Sequence, residues 1–397
     1  MKQIYLDQNA TTPVRPEVLE AMLPFYREHY GNASSVHSFG RDARHAIEDA
    51  RAKIARALVC DPSEVVFTGS GTESDNMAIK GAVFANREKG DHIITSRIEH
   101  HAVLHTFEFL EKHHGIKTTY LGVDENGLVD PRELEKAITP KTLLVSVMHA
   151  NNEVGAIEPL EELGQICREH KVWLHTDAVQ TFGKADTNVG RLGVSMLSLS
   201  GHKIYAPKGV GVLYIKKGTR IQPLIHGGGH EKNRRAGTEN VAGIVGLGVA
   251  AELALAERDA ENEKLRTLRD RLWQGISGRI SHIRRNGHPD TTMAGVLNVS
   301  FEYIEGESIL LSLDMKGIAC SSGSACTSGS LEPSHVLLAM GIPVELAHGS
   351  VRFSLGRGNT AAEVDYTVES LAAIVARLRE MSPITPKNSC GTDGKAS

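Results

Sequence analysis

Five side chains in this sequence sit where a packing role does not account for them. Lys203 lies in SLSGHKIYAPKGVG, just past an apolar run and a Ser-Gly-His turn. A lysine at a strand end, partly desolvated, loses its proton readily and condenses with an aldehyde as a Schiff base. A solvated loop lysine is the competing explanation. Asp177 and Gln180 close the run WLHTDAVQ. A carboxylate there is costly unless it meets a cation or donors. A protonated pyridine nitrogen would be such a partner, and a helix cap or structural ion pair would be another. Arg352, in SVRFSLGR, needs an anion, either a substrate carboxylate held bidentately or an internal acid. Cys326 lies in CSSGSACTSGS, a stretch too small and polar to pack a core. A thiolate in such a setting attacks and then delivers what it captures. An inert loop thiol, or a pair with Cys320, fits the same composition.

The segment FTGSGTESDNMAIKG reads as strand, glycine turn and helix, with Gly71 and Thr72 at the helix start. Free N–H groups and the helix dipole favour a phosphate there. The pattern is neither a dinucleotide fingerprint nor an ATP loop, and an ordinary capped helix explains it equally well. Ser200 and His202 stand beside Lys203 as further donors. Asn152 in HANNEVG supplies another. His100 and His101 open EHHAVL, where one imidazole would stack on a ring or simply start a helix. The five cysteines are odd in number and contain no CxxC pair, so neither a disulfide framework nor a structural zinc site is expected.

These residues need strand ends to hold them. The runs EVVFT, DHIITS, KTTYLGV, LLVSVMHA, WLHTDAV, MLSLS and GVGVLYIKK alternate with amphipathic stretches such as AVLHTFEFLEKHH and LEELGQICREH. That alternation argues for an α/β domain with a mostly parallel sheet, with GVGVLYI a candidate antiparallel strand. A helix from about 241 to 280 follows. After it come GVLNVSFE, a helix near 307–315, SVRFSL and a helix near 361–381, which suit a smaller α+β domain. The tail SPITPKNSCGTDGKAS is polar and expected to be disordered. At 397 residues the chain suits two packed domains. A net charge of −4 gives no basic field for nucleic acid or an anionic membrane. No apolar run is long enough to span a bilayer and the N-terminus lacks a signal-peptide design, so a cytoplasmic location is expected.

YLDQNATTP, GSGTESDN, EHHAV, ANNEVG, HTDAVQ, SGHKIYAPKGVG, RRAGTEN, SSGSACTSGSLEPSHVL and VRFSLGR together resemble the signature stretches of cysteine desulfurases of the NifS/IscS type, in that family's order and over nearly the whole chain. The resemblance implies a fold type I transferase dependent on pyridoxal 5'-phosphate. A large domain (16–255) would bind the cofactor on a mostly parallel seven-stranded sheet. Residues 1–15 and 256–382 would form the smaller α+β domain. Lys203 would carry the cofactor, His100 would stack on its ring and shuttle protons, and Asp177 would keep the ring nitrogen protonated. Asn152 and Gln180 would contact the phenolic oxygen side. Gly71, Thr72, Ser200 and His202 would hold the phosphate, with Thr238 reaching in from a second subunit. Arg352 with Asn32 would bind the carboxylate of L-cysteine. Cys326 would accept sulfur as a persulfide, leaving L-alanine, and would be the residue to ligate a transient iron–sulfur cluster. A homodimer follows, as does an acceptor protein such as an iron–sulfur scaffold, that of nitrogenase included. The alternatives are a selenocysteine lyase or aminotransferase of the same fold, and a non-enzymatic sulfur carrier. The tail departs from the ending of the housekeeping branch, and Cys320 and Cys390 have no role under this reading.

Overall fold

The structure, a computed structural model, describes residues 3–322 and 332–383. Its strands in chain order are β1 (Ile4–Tyr5), β2 (Val65–Thr68), β3 (His92–Ser96), β4 (Lys117–Leu121), β5 (Thr142–Ser146), β6 (Trp173–Asp177), β7 (Met196–Ser200), β8 (Gly211–Ile215), β9 (Ile283–Asn286), β10 (Val296–Phe301), β11 (Ile318–Ala319) and β12 (Ser350–Ser354). Seven of them form one sheet in the order β2-β8-β7-β6-β5-β3-β4. Each of the seven apolar runs in the sequence supplies one strand. Only β8 runs against the rest, pairing antiparallel with both β2 and β7. Strands β2, β3, β5, β6, β7 and β8 are buried along nearly their whole length, as expected of a sheet covered on both faces.

Helices Gly71–Ala85, His101–His114 and Leu160–Glu169 follow strands β2, β3 and β5. The 37-residue helix Val241–Ser277 ties the molecule together. Its first half is rich in Gly and Ala and lies close against the helix Ser38–Leu58. A Cβ added at Gly248 would sit 2.9 Å from Ala50 Cα, so only glycine permits that approach. The second half turns Leu265, Leu268, Leu272 and Ile276 into a different cluster, with Leu297, Val299 and Phe301 of β10, Phe353 of β12, and the final helix Ala361–Met381. Here β12-β10-β9 form an antiparallel sheet and β1 pairs with β11 in parallel. Among the described residues, no helix is long and apolar enough to cross a membrane.

Past β1 the chain runs from this second cluster to the ends of the parallel strands. Asp7 bridges Ser354, and the Thr12 N–H and hydroxyl both donate to the His202 carbonyl. The N-terminal segment therefore lies against the turn that carries Lys203.

Candidate active site

In a parallel sheet the loops beyond the strand C-termini form the binding crevice, and most of the described residues singled out above gather there. β2 ends at Thr68 and the helix Gly71–Ala85 begins at once. Its N-cap is Ser70, whose Oγ accepts from the Glu73 N–H at 3.1 Å. The N–H groups of Gly71 and Thr72 are among the first of a helix, which have no partner within it. Glu73 is held by Arg235 (2.8 Å) and by the Gly69 N–H (2.8 Å), which fixes the turn. Thr72 thus sits one residue inside the helix start, not at the cap.

Lys203 closes a short 3₁₀ turn, Gly201–Lys203, after β7. Its Nζ donates to the carbonyls of Asn9 (2.5 Å) and Ala10 (2.8 Å). The Asn9 carbonyl also accepts from Gln180 Nε2 at 3.1 Å, while Gln180 Oε1 is buried without a partner. Asp177 ends β6, is buried, and accepts from the Val179 N–H at 2.8 Å. Burial pushes its carboxyl up to about 6, against the opposing pulls of that N–H and of the Lys203 charge. Ser200 is buried at the end of β7, and His202 Nδ1 lies 3.1 Å from Thr11 Oγ1.

His100 caps the helix His101–His114: its Nδ1 accepts from the Ala102 N–H at 3.1 Å. With that lone pair engaged, the neutral ring carries its proton on Nε2. Burial, then the Lys203 charge, push the imidazole down to about 4, so it is neutral at ordinary pH. His101 stacks on His105 and also faces His335, with ring centroids 4.8 Å apart in each case. Among the described residues no group of three His, Cys, Asp or Glu could hold a metal ion.

Arg352, on β12, is buried and has an acid partner: Nη2 donates to Asp7 Oδ1 at 2.7 Å. Nη1 donates to the Asn152 carbonyl at 3.1 Å, and Nε is buried without an acceptor. Asn152 meets its neighbours through its backbone oxygen, which also takes Asn9 Nδ2. The adjacent Asn151 is structural, with both ends of its amide bonded to backbone.

Lys203, Asp177 and Gln180 are thus brought together, with Gly71, Ser200, His202 and His100 around them. Asn32 and Thr238 make no described contact to the group; Asn32 Oδ1 accepts from Ser34 N–H in its own turn. Cys326 lies outside the described residues, as do Cys390 and most of the tail. The three described thiols, Cys60, Cys167 and Cys320, are all pushed up to about 12, mainly by burial. Two residues that matter here were not singled out, although both lie in the stretch YLDQNATTP. Asp7 is an ordinary acid beside a short strand, and Asn9 acts through its carbonyl, which no residue type advertises.

Residues 4–367 match the family described as aminotransferase class-V. The chain is 56% identical over 382 residues to the protein named cysteine desulfurase IscS from Dictyoglomus turgidum, covering 96% of this chain and 97% of that one. Among solved structures it is similar to one titled a NifS-like protein (TM-score 0.90, 40% identity, 95% of this chain and 100% of that one). It is also similar to one titled SspA in complex with cysteine (TM-score 0.80, 39% identity, 89% and 99%).

Proposed function

The chain belongs to the class-V aminotransferase family and, within it, to the cysteine desulfurases, and on that premise we propose how its residues divide the work. The enzyme depends on pyridoxal phosphate and takes sulfur from L-cysteine, giving L-alanine and enzyme-bound sulfur. Two features support the fit of the crevice to that cofactor. Gln180 Oε1 is buried without a donor, and as an acceptor it would be satisfied by a phenolic O–H of the cofactor, Nε2 being taken by the Asn9 carbonyl. The backbone at Gly71 leaves no room for a side chain: a Cβ there would meet Val179 Cγ2 at 2.7 Å. Gly71, Thr72, Ser200 and His202 would hold the phosphate, Asp177 the ring nitrogen, and Asn152 and Gln180 the phenolic oxygen. Thr238 of a second copy would complete the phosphate site. When bound, the protonated ring withdraws electrons from the substrate's α-carbon and loosens the bonds around it.

The protein's own groups do the rest. The Lys203 amine is the cofactor's anchor, poised by the Asn9 and Ala10 carbonyls. His100, neutral with its proton on Nε2, is set to pass a proton rather than hold a charge. Arg352 holds the substrate carboxylate, drawing on the Nε that has no acceptor and on a guanidinium shared with Asp7. The Cys326 thiolate attacks the substrate sulfur; an S–S bond forms, the C–S bond breaks with its electrons going to carbon, and carbon is protonated to alanine.

The single observation that carries this reading is that Asp177 ends β6 and Lys203 follows the end of the paired strand β7, with Lys203 and Gln180 both donating to the Asn9 carbonyl. The large unit would be residues 16–255 and the small one 1–15 with 256–382; the split of apolar residues along the helix Val241–Ser277 supports a boundary within it. We further propose a homodimer in the cytoplasm that passes sulfur to an iron–sulfur scaffold or another acceptor protein. Exposed Tyr26, Tyr30, Val36 and Phe39 offer an apolar face for a second copy. The test is incubation with L-cysteine and a reductant, with alanine and sulfide measured for native and Cys326→Ala protein. Equal cofactor content in both, with product from the native enzyme only, is expected. Sulfide from the variant at the native rate ends the assignment of Cys326.

A further inference from the structure

Behind Asp177 lies a second buried carboxyl with no task in the reaction. Asp75 is on the helix Gly71–Ala85, one turn in from the phosphate cradle, and is 1% exposed. His175 is two residues before Asp177 on β6, hence on the same face, and is fully buried. Its Nδ1 lies 2.8 Å from Ser146 Oγ on β5 and its Nε2 lies 2.9 Å from Ser198 Oγ on β7. Ser198 is the register partner of Asp177, and its hydroxyl is near enough to the Asp75 carboxyl to favour the charged form, against the burial that opposes it. Asp75 Oδ1 is 3.6 Å from His175 Nε2 and has no hydrogen-bond partner.

An ionised carboxylate in a dry site needs donors for both oxygens. Asp75 has one hydroxyl neighbour, and the carboxyls of Asp177 and Glu99 oppose any charge on it; burial is the largest effect and holds it protonated. Asp177 instead has the Val179 N–H and the Lys203 charge in its favour. His175, kept neutral by burial, pushed down to about 3, supplies no cation to Asp75. One proton shared between the two acids therefore rests on Asp75.

We propose that Asp75 is a positioning residue for the partner of the cofactor's ring nitrogen: as a neutral acid it donates to Ser198, orders the hydrogen bonds through His175, and leaves Asp177 as the ionised member of the pair. This rests on the assignment of Asp177 to that nitrogen. The direction of the chain is then set. Asp75 donates to Ser198 Oγ, the Ser198 hydroxyl donates to His175 Nε2, and His175 Nδ1–H donates to Ser146 Oγ. Were Asp75 ionised, every one of these bonds would reverse and the His175 proton would sit on Nε2. The tautomer of His175 thus reports the charge of Asp75.

The experiment is nitrogen NMR of holoenzyme labelled with ¹⁵N-histidine, the His175 signals assigned by their loss in His175→Asn, together with the visible absorption of the bound cofactor across pH. A bare Nε2 and a protonated Nδ1 are expected in native protein and in Asp75→Asn, whose amide is neutral and still donates to Ser198. The pH midpoint of the visible band should agree between the two within about 0.3. Asp75→Leu, with no donor, should lower kcat about tenfold at unchanged KM, and Ser198→Ala should do the same if the leucine variant does not fold. A proton on His175 Nε2, a midpoint moved by Asp75→Asn, or native kcat in both Asp75→Leu and Ser198→Ala each overturns the proposal. Asp177→Asn separates the two levels: a native band and native turnover in that variant would show that the assignment of Asp177 is what failed.

Discussion

Replacing Gly71 by alanine tests the phosphate cradle with a single methyl group. The added Cβ would sit 2.7 Å from Val179 Cγ2 and 3.4 Å from Ser200 Cβ. Carbon–carbon contacts settle at about 3.5–4.0 Å, so the helix start or Val179 must retreat by roughly 1 Å. Neither retreat is neutral. Val179 provides the N–H that Asp177 accepts, and Ser200 precedes the turn that carries Lys203. Overpacking of this kind costs about 1–3 kcal/mol, while removing glycine's freedom in the unfolded chain returns about 0.4–1 kcal/mol. The unfolded-chain gain bears on stability alone; about 1–2 kcal/mol of the overpacking cost, relieved by displacing the N–H groups proposed to hold the phosphate, would weaken cofactor binding about 5- to 30-fold. Titrating cofactor-free protein with pyridoxal phosphate and following absorbance gives the dissociation constant directly. Gly122→Ala is the control, because its nearest contact would be Glu133 Oε2 at 3.7 Å. A Gly71→Ala protein that is less stable but binds the cofactor with native affinity would mean that the close approach serves packing alone, and the cradle assignment would fall.

Two further perturbations probe the neighbouring charges. Asp7→Asn frees Arg352 from the acid that now shares its guanidinium, so KM for L-cysteine should fall several-fold with kcat little changed; a raised KM would show that Asp7 orients Arg352 rather than competing for it. Glu99 has a buried, unpartnered Oε2, and burial pushes its carboxyl up from 4.5 to about 8. A raised folded-state value means stability that is fully present below about 4.5 and lost as pH rises through about 8. Glu99→Gln should therefore gain on native protein by on the order of a few kcal/mol at pH values of about 8 and above and by nothing near about 4.5, as denaturant unfolding would measure. The same gain at both pH values would mean that the charge on Glu99 is not what destabilises it.

All seven strands of the large sheet were legible because each is an apolar run, and most end in a polar residue where the chain leaves the core. Thr68, Ser96, Ser146, Asp177 and Ser200 mark those ends, and the active-site loops follow them. The helix Ser38–Leu58 was not legible from its composition. Its buried stripe, Ile47, Ile54 and Leu58, is diluted by charged residues, and Arg51 among them is buried against Glu231, 180 positions away. No local pattern encodes that pairing. The cap of the helix Gly71–Ala85 is Ser70 although Thr72 and Ser74 are equally good capping types, and only the extended backbone at Ser70 decides between them. Asn9 illustrates the wider limit. Its carbonyl organises Lys203 and Gln180, a role any residue's carbonyl could fill, and only its Nδ2 bond to the Asn152 carbonyl uses the side chain.

The described thiols bear on the proposal that sulfur chemistry and carboxylate binding fall to separate parts of this chain. Cys320 is the described thiol nearest to Arg352 in the pattern of contacts, since the adjacent Ser321 bridges Arg352 backbone to backbone. It would be a poor nucleophile. Burial is the main reason that its thiol is pushed up to about 12, and Asp7 adds to the effect more than Arg352 relieves it. Asp7 is the acid that pairs with Arg352. An anion placed to hold the guanidinium therefore only adds to the burial that keeps the adjacent thiol protonated, and a thiolate at neutral pH needs a less buried position away from that acid. Asp7→Asn removes the acid from beside Cys320 and leaves burial in force. The thiol should remain slow toward alkylating reagents at neutral pH, and rapid labelling of Cys320 in that variant, read by mass spectrometry, would show that the Asp7 charge, and not burial, is what holds it protonated.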